Sequence, residues 1–84
     1  EKELRVNSVK VYPNPVSDEV HVDIGDLIYE GAVLEVFNGL GQSMCSQKVT
    51  AQKTKIKISK FPSGMYFVRY RNKEDSFVVK MVKE

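Results

Sequence analysis

Few side chains in this sequence are equipped for chemistry. Cys45 is the one thiol and His21 the one imidazole among 84 residues. A catalytic thiol needs a base within hydrogen-bond reach, and no feature of the sequence brings His21 to Cys45. Cys45 therefore reads as a small, partly buried apolar residue on a strand, and with no second cysteine it forms no disulfide within the chain. The carboxylates Asp18, Glu19, Asp23 and Asp26 crowd one region. They lack the spacing of a calcium loop, and strand alternation turns Glu19 and Asp23 outward as a solvated face. Asn38-Gly39-Leu40-Gly41 has the glycines of a phosphate cradle, but it joins two strands instead of opening a helix and no Lys-Ser/Thr pair follows. Tyr66, Phe67 and Tyr70 beside Arg69 and Arg71 have the residue types of a base-stacking platform. The basic residues are nevertheless spread along the chain, and 13 Lys+Arg against 11 Asp+Glu leave a net charge of only +2. The residues thus point to no catalytic centre, no metal, no cofactor and no nucleic-acid partner.

The elements that position these residues are strands. Thirteen Val, four Ile, four Phe and four Tyr stand against two Ala and four Leu, a composition suited to pleated sheet. Period-two alternation recurs at short, even spacing, the pattern of a sandwich or barrel. Seven strands are predicted, at about residues 6–12, 19–24, 32–37, 42–49, 54–58, 65–71 and 76–82. The first is stopped by Pro13-Asn14-Pro15, because neither proline donates to a ladder. In the second, Val20, Val22 and Ile24 share a face and His21 points to solvent. A connection through Leu27, Ile28 and Tyr29 leads to the third, where Leu34 and Val36 share a face. Asn38 to Gly41 closes the clearest hairpin, since Asn and Gly tolerate positive φ. Ile56 and Ile58 point inward while Lys55 and Lys57 protect an edge. In the sixth strand Tyr66, Val68 and Tyr70 oppose Met65, Phe67 and Arg69, and apolar residues on both faces predict a central strand covered on both sides near Gly64. No helical period, internal repeat or low-complexity linker is present.

The 84 residues make one domain at most, able to support a thin two-layer core that buries roughly 60–65% of the unfolded surface, but hardly a deep cleft as well. No apolar run reaches the ~18–20 residues of a membrane-spanning helix, so no transmembrane segment is expected. Glu1-Lys2-Glu3 is charged and carries no signal-peptide core, so an export address is expected upstream or at the opposite end of the chain.

Three local patterns, in order, then resemble one family. Val11-Tyr12-Pro13-Asn14-Pro15-Val16-Ser17-Asp18, Asn38-Gly39-Leu40-Gly41-Gln42, and Phe61-Pro62-Ser63-Gly64-Met65-Tyr66-Phe67-Val68 with Val79-Lys80-Met81-Val82-Lys83 look like the C-terminal sorting domain, of type A, of type IX secretion cargo. The resemblance runs from about Val9 to Lys83, and the order and spacing of the pieces make it specific. It implies an all-β, immunoglobulin-like antiparallel sandwich of about seven strands. It also implies an address that is not an enzyme, carried by proteins exported across the outer membrane of Bacteroidetes. The cargo in that family is often a peptidase, an adhesin or another virulence factor. The implied partners are the type IX translocon, its shuttle proteins and a sortase-like cysteine peptidase. That peptidase typically removes the domain and joins the cargo to lipopolysaccharide. The implied location is the periplasm in transit, then the cell surface or the medium.

Carried over residue by residue, the family motif falls on Tyr12, Pro13, Asn14, Pro15, Gly41, Gly64 and Tyr66, and the terminal basic-apolar strand on Val78, Val79, Lys80, Met81, Val82 and Lys83. Translocon recognition is expected on that strand, read by strand addition, with exposed Lys80 and Lys83 giving orientation. An edge strand also invites a homodimer by strand exchange. A competing class is an immunoglobulin-like adhesion or carbohydrate-binding module; its loops are short and the chain has no Trp, which leaves little surface for a ligand. A structural appendage of a secreted protein is the third, distinguished by a large exposed apolar patch.

Overall fold

A computed structural model describes residues 2–6, 9–27 and 30–84, the first of these segments as backbone alone. Eight strands lie among the described residues: β1 (Lys2–Val6), β2 (Val9–Asn14), β3 (Glu19–Asp23), β4 (Val33–Asn38), β5 (Ser43–Lys48), β6 (Lys53–Lys57), β7 (Gly64–Arg71) and β8 (Ser76–Lys83). They form two antiparallel four-stranded sheets, in the orders β1-β2-β3-β6 and β5-β4-β7-β8. The chain is all-β and folds as a sandwich. Setting β1 aside, the order is that of strands A-B-E in one sheet and C′-C-F-G in the other, the arrangement of immunoglobulin-like sandwiches.

The alternation dictates which faces meet. Val9 and Val11 of β2, Val20 and Val22 of β3 and Ile56 of β6 are buried from one sheet; Leu34 and Val36 of β4, Tyr66, Val68 and Tyr70 of β7, and Val79 and Met81 of β8 are buried from the other. Each fully buried Val, Leu or Ile contributes about 1.5–3 kcal/mol of transfer free energy, and β-branched side chains are stiff at χ1, so they fill this thin core at low entropy cost. The outward face of β6 carries Lys53, Lys55 and Lys57, all exposed, which guards that sheet edge against another strand.

The structure departs from the sequence reading in four places. A strand precedes the first predicted one: β1 pairs with β2 from Val6↔Val9 to Lys2↔Asn14. The predicted strand 6–12 ran across Asn7 and Ser8, which lie outside the described residues, as do Ile28 and Tyr29 of the third connection. β2 does not stop at Tyr12 but continues through Pro13 to Asn14. Pro13 is tolerated because β3 pairs only as far as Tyr12↔His21 and the β1–β2 register shifts between Lys2 and Leu4, so no ladder partner waits for the missing N–H. β7 is central, between β4 and β8, yet it is covered on one face only: Met65 on its outer face is 44% exposed. The fourth is Lys83 of β8, which is buried instead of exposed.

Two turns are built by the residues that mark them. Asn38 Oδ1 accepts from the backbone N–H of Leu40 (3.0 Å) and Gln42 (2.9 Å), Gly41 N–H donates to Asn38 O at 3.0 Å, and Gly41 takes φ +83°. A turn closed in this way and followed by one left-handed residue is the three-residue hairpin loop, and glycine at that last position avoids the Cβ clash. At the β7–β8 turn Asn72 Oδ1 accepts from the N–H of Glu74 (2.8 Å) and Asp75 (2.6 Å).

Candidate functional site

The terminal strand β8 is the outermost of its sheet and is hydrogen-bonded along one side to β7, in register Gly64↔Lys83, Met65↔Val82, Phe67↔Lys80 and Arg69↔Val78. Alternation divides the predicted recognition residues between two faces. Val79, Met81 and Lys83 turn into the sandwich; Val78 (48% exposed), Lys80 and Val82 (40% exposed) turn out. Lys83 is thus not an exposed orienting charge. It is 7% exposed, and its Nζ donates to the Glu84 carbonyl at 3.0 Å. The separation of three residues between Lys80 and Lys83 already carried this signal, because an odd spacing on a strand puts two side chains on opposite faces.

The outer edge of β8 is partly covered by the Pro-Asn-Pro motif. After β2 the chain crosses to the other sheet, where Val16 forms a parallel bridge with Lys83. Val16 N–H donates to Val82 O at 2.9 Å and Glu84 N–H donates to Val16 O at 2.8 Å. Val82 N–H donates to Asn14 Oδ1 at 3.1 Å, so a side chain completes what a strand would otherwise supply. Val16 is fully buried. Asn14 of the motif and Val16 just after it therefore hold the end of β8 from the first third of the chain. Nothing short of the tertiary fold reveals this pairing, since sequence alternation reports on faces and not on partners.

Of the remaining motif residues, Gly41 closes the β4–β5 hairpin, and Gly64 and Tyr66 serve the corner between β6 and β7. Tyr66 is buried, its hydroxyl donates to the Pro62 carbonyl at 2.6 Å, and its ring lies tilted on Phe61 with centroids 5.7 Å apart. A tyrosine near the start of strand F that bonds back to the backbone a few residues upstream is the tyrosine corner of such sandwiches. Gly64, at φ +147°, starts β7 between these two residues in a conformation that glycine enters without strain.

On the outer face of the β4–β7–β8 sheet, Glu35 accepts from Arg69 Nη2 at 2.6 Å and Nε at 3.1 Å, and Arg71 Nε stands at 3.5 Å from the same oxygen. The Arg69 hydrogen bonds hold the Glu35 carboxyl below its ordinary pKa, against the opposing effect of partial burial, with both guanidinium charges adding to the shift. The Arg69 guanidinium also lies 5.0 Å above the Phe37 ring. This ion network was not anticipated from sequence, where Glu35 and Arg69 stand far apart.

The predicted chemical candidates do not assemble. Cys45 sits on β5 in one sheet and His21 on β3 in the other. Burial raises the Cys45 thiol above its ordinary pKa, which disfavours the nucleophilic thiolate. His21 stacks on Tyr12, 5.2 Å between centroids and 8° from parallel. Asp23 Oδ1 accepts from Gly25 N–H at 2.8 Å and from Gln52 Nε2 at 3.3 Å, which makes it a turn residue. Of the aromatic group, Tyr66 and Tyr70 are core residues, while Phe67 and Arg69 lie on the opposite face of β7.

A protein-family model described as "Secretion system C-terminal sorting domain" matches residues 10–84. No curated protein matches the chain.

Proposed function

This chain belongs to the family of secretion-system C-terminal sorting domains, the type IX sorting signals, and from that membership we propose that it is a removable export address for the cargo it follows. The observation that carries the proposal is the family match from residue 10 to residue 84. A domain of this family implies an encounter with the type IX machinery and a cargo destined for the cell surface or for release. In finer terms, the folded domain reaches the periplasm of a Bacteroidetes cell with its cargo and is recognised there by the translocon and its shuttle proteins. A sortase-like cysteine peptidase then cuts between cargo and domain, and the cargo is joined to lipopolysaccharide. The domain contributes recognition and no catalytic step; the cargo, a peptidase, an adhesin or another virulence factor, supplies the activity.

Within the domain, Val78 to Lys83 form the recognition element. What supports this is the place of β8 at the end of its sheet and the exposure of Val78, Lys80 and Val82. Tyr12 to Pro15, Gly41, Gly64 and Tyr66 act through the fold, each engaged in a turn, a strand or a corner. Exchange of β8 between two copies requires release of its bonds to Asn14 and Val16, so the monomer is the form proposed for recognition.

The test is a periplasmically targeted fluorescent reporter fused upstream of residues 1–84, expressed in a type IX-competent host and in a translocon-deficient sister strain. Surface display in the competent strain alone is the expected result. A stable fusion retained in the periplasm of both strains overturns the proposal.

A further inference from the structure

Among the described residues, the outer face of β7 and β8 carries three of the four exposed large hydrophobic side chains. Three cross-strand pairs succeed one another along it: Met65 with Val82, Phe67 with Lys80 and Arg69 with Val78. Met65, Val78 and Val82 are each 40–48% exposed, although all three lie in regular strands. At the Met65 end the face runs into a groove of about 330 Å³ between the Asn38–Gly41 and Pro62–Gly64 turns, where Gly39, Gly64, Leu40, Pro62 and Met65 form part of the lining. Leu40 projects beside it, 86% exposed. An apolar strip with an adjoining socket is the form taken by anchor sites in protein interfaces, and monomers rarely leave such a strip open without a binding role.

The charges on this face select what covers it. Lys80 stands in the middle of the strip and forms no ion pair among the described residues. Glu35, the carboxylate of the same sheet face, is already bonded to Arg69 and Arg71. The face therefore offers apolar contacts with uncompensated positive charge and fits a partner that presents apolar side chains and carboxylates. A second copy of the chain fits poorly, because a two-fold axis sets the same patch against itself, and that patch offers Lys80 no unpaired carboxylate, Glu35 being held by Arg69 and Arg71. Continuous strand addition fits poorly too, because the outward N–H and C=O of Val82 are already bonded to Asn14 and Val16 and the Glu84 N–H to Val16.

The geometry points to side-chain recognition of the folded domain: a protein surface of the export machinery that is apolar and carboxylate-bearing docks on Val78, Lys80, Val82, Met65 and Phe67, while the backbone edge of the last residues stays covered. This rests on the export reading above and specifies how the terminal strand is read.

The reporter fusion supplies the test, with each variant first shown to unfold at the wild-type temperature. Val78→Thr combined with Val82→Thr keeps β-branched residues and removes apolar surface; Lys80→Glu reverses the charge; Lys80→Gln removes it; Lys55→Glu makes the same reversal on the opposite sheet. Surface display is expected to fall about tenfold or more in the double threonine variant and in Lys80→Glu, the loss that follows when one anchor of about 1.4 kcal/mol is removed. Lys80→Gln is expected between Lys80→Glu and wild type, and Lys55→Glu at wild type. Unchanged display of the double threonine and Lys80→Glu variants overturns the inference while leaving the export reading intact, and assigns the strip to the native cargo. An equal loss in Lys55→Glu overturns it as a nonspecific charge effect. Sedimentation of the wild-type chain as a dimer that the double threonine variant dissociates overturns it in favour of a second copy. A wild-type fusion displayed in neither strain defeats the export reading itself.

Discussion

Tyr66 is a core residue whose one polar atom has a single place to go. Its hydroxyl reaches the Pro62 carbonyl at 2.6 Å, and this bond pins the corner by which the chain passes from β6 in one sheet to β7 in the other. Tyr66→Phe keeps the ring and leaves the carbonyl without its partner, at an expected cost of about 1–2 kcal/mol, read as a lower urea midpoint at unchanged slope; an unaltered midpoint would show that water replaces the hydroxyl at no loss. Glu35 provides a pH-dependent counterpart. Its carboxyl is held below 4.5 in the folded state, so as the pH falls the unfolded chain takes up a proton first, and stability present above about 4.5 is lost as the pH drops through the folded value. Glu35→Gln removes that dependence, and the stability gap between wild type and variant is expected to shrink from pH 7 to pH 3; parallel curves would mean that the Arg69 bonds do not discriminate between protonation states. The glycine and asparagine of the hairpin were legible in the sequence because their role is local. The partners of Tyr66 and Glu35 differed in this respect: a hydroxyl bond within a four-residue corner is short-range but looks like any other tyrosine, and Glu35–Arg69 is a pairing between strands.

At the scale of elements, β8 concentrates what the sequence revealed and what it concealed. Its existence followed from apolar residues bounded by lysines, but apolar residues at both Val78 and Val79 blur the phase, and the assumption that both lysines were exposed ran against the odd spacing of Lys80 and Lys83. β1 was hidden for a different reason: no glycine or proline separates Val6 from Val9, so no strong breaker marked a boundary between two strands. The covering of β8 by Asn14 and Val16 adds an element-level prediction. Asn14→Ala removes the acceptor 3.1 Å from the Val82 N–H, and hydrogen exchange at Val82 is expected to accelerate. The amides of Val79 and Met81, which alternate toward β7, are expected to keep their protection. Equal acceleration along all of β8 would indicate that Asn14 holds the whole strand instead of its end.

For the molecule as a whole, the two sheets divide the labour. The β1-β2-β3-β6 sheet is closed by lysines along β6 and by stacking of His21 on Tyr12, whereas the β5-β4-β7-β8 sheet carries the open apolar strip. The sandwich class was legible because strand composition and period are global properties of the sequence; the difference between its two outer faces was not, because it depends on which strands become neighbours. The parallel bridge between Val16 and Lys83 has a mechanical meaning as well. Tension that arrives at Val16 from the amino-terminal side, while the carboxyl end of β8 is gripped, drags two parallel segments past each other. The bonds from Val16 to Val82 and from Glu84 to Val16 then carry the load side by side, in shear, instead of opening one after another like a zip.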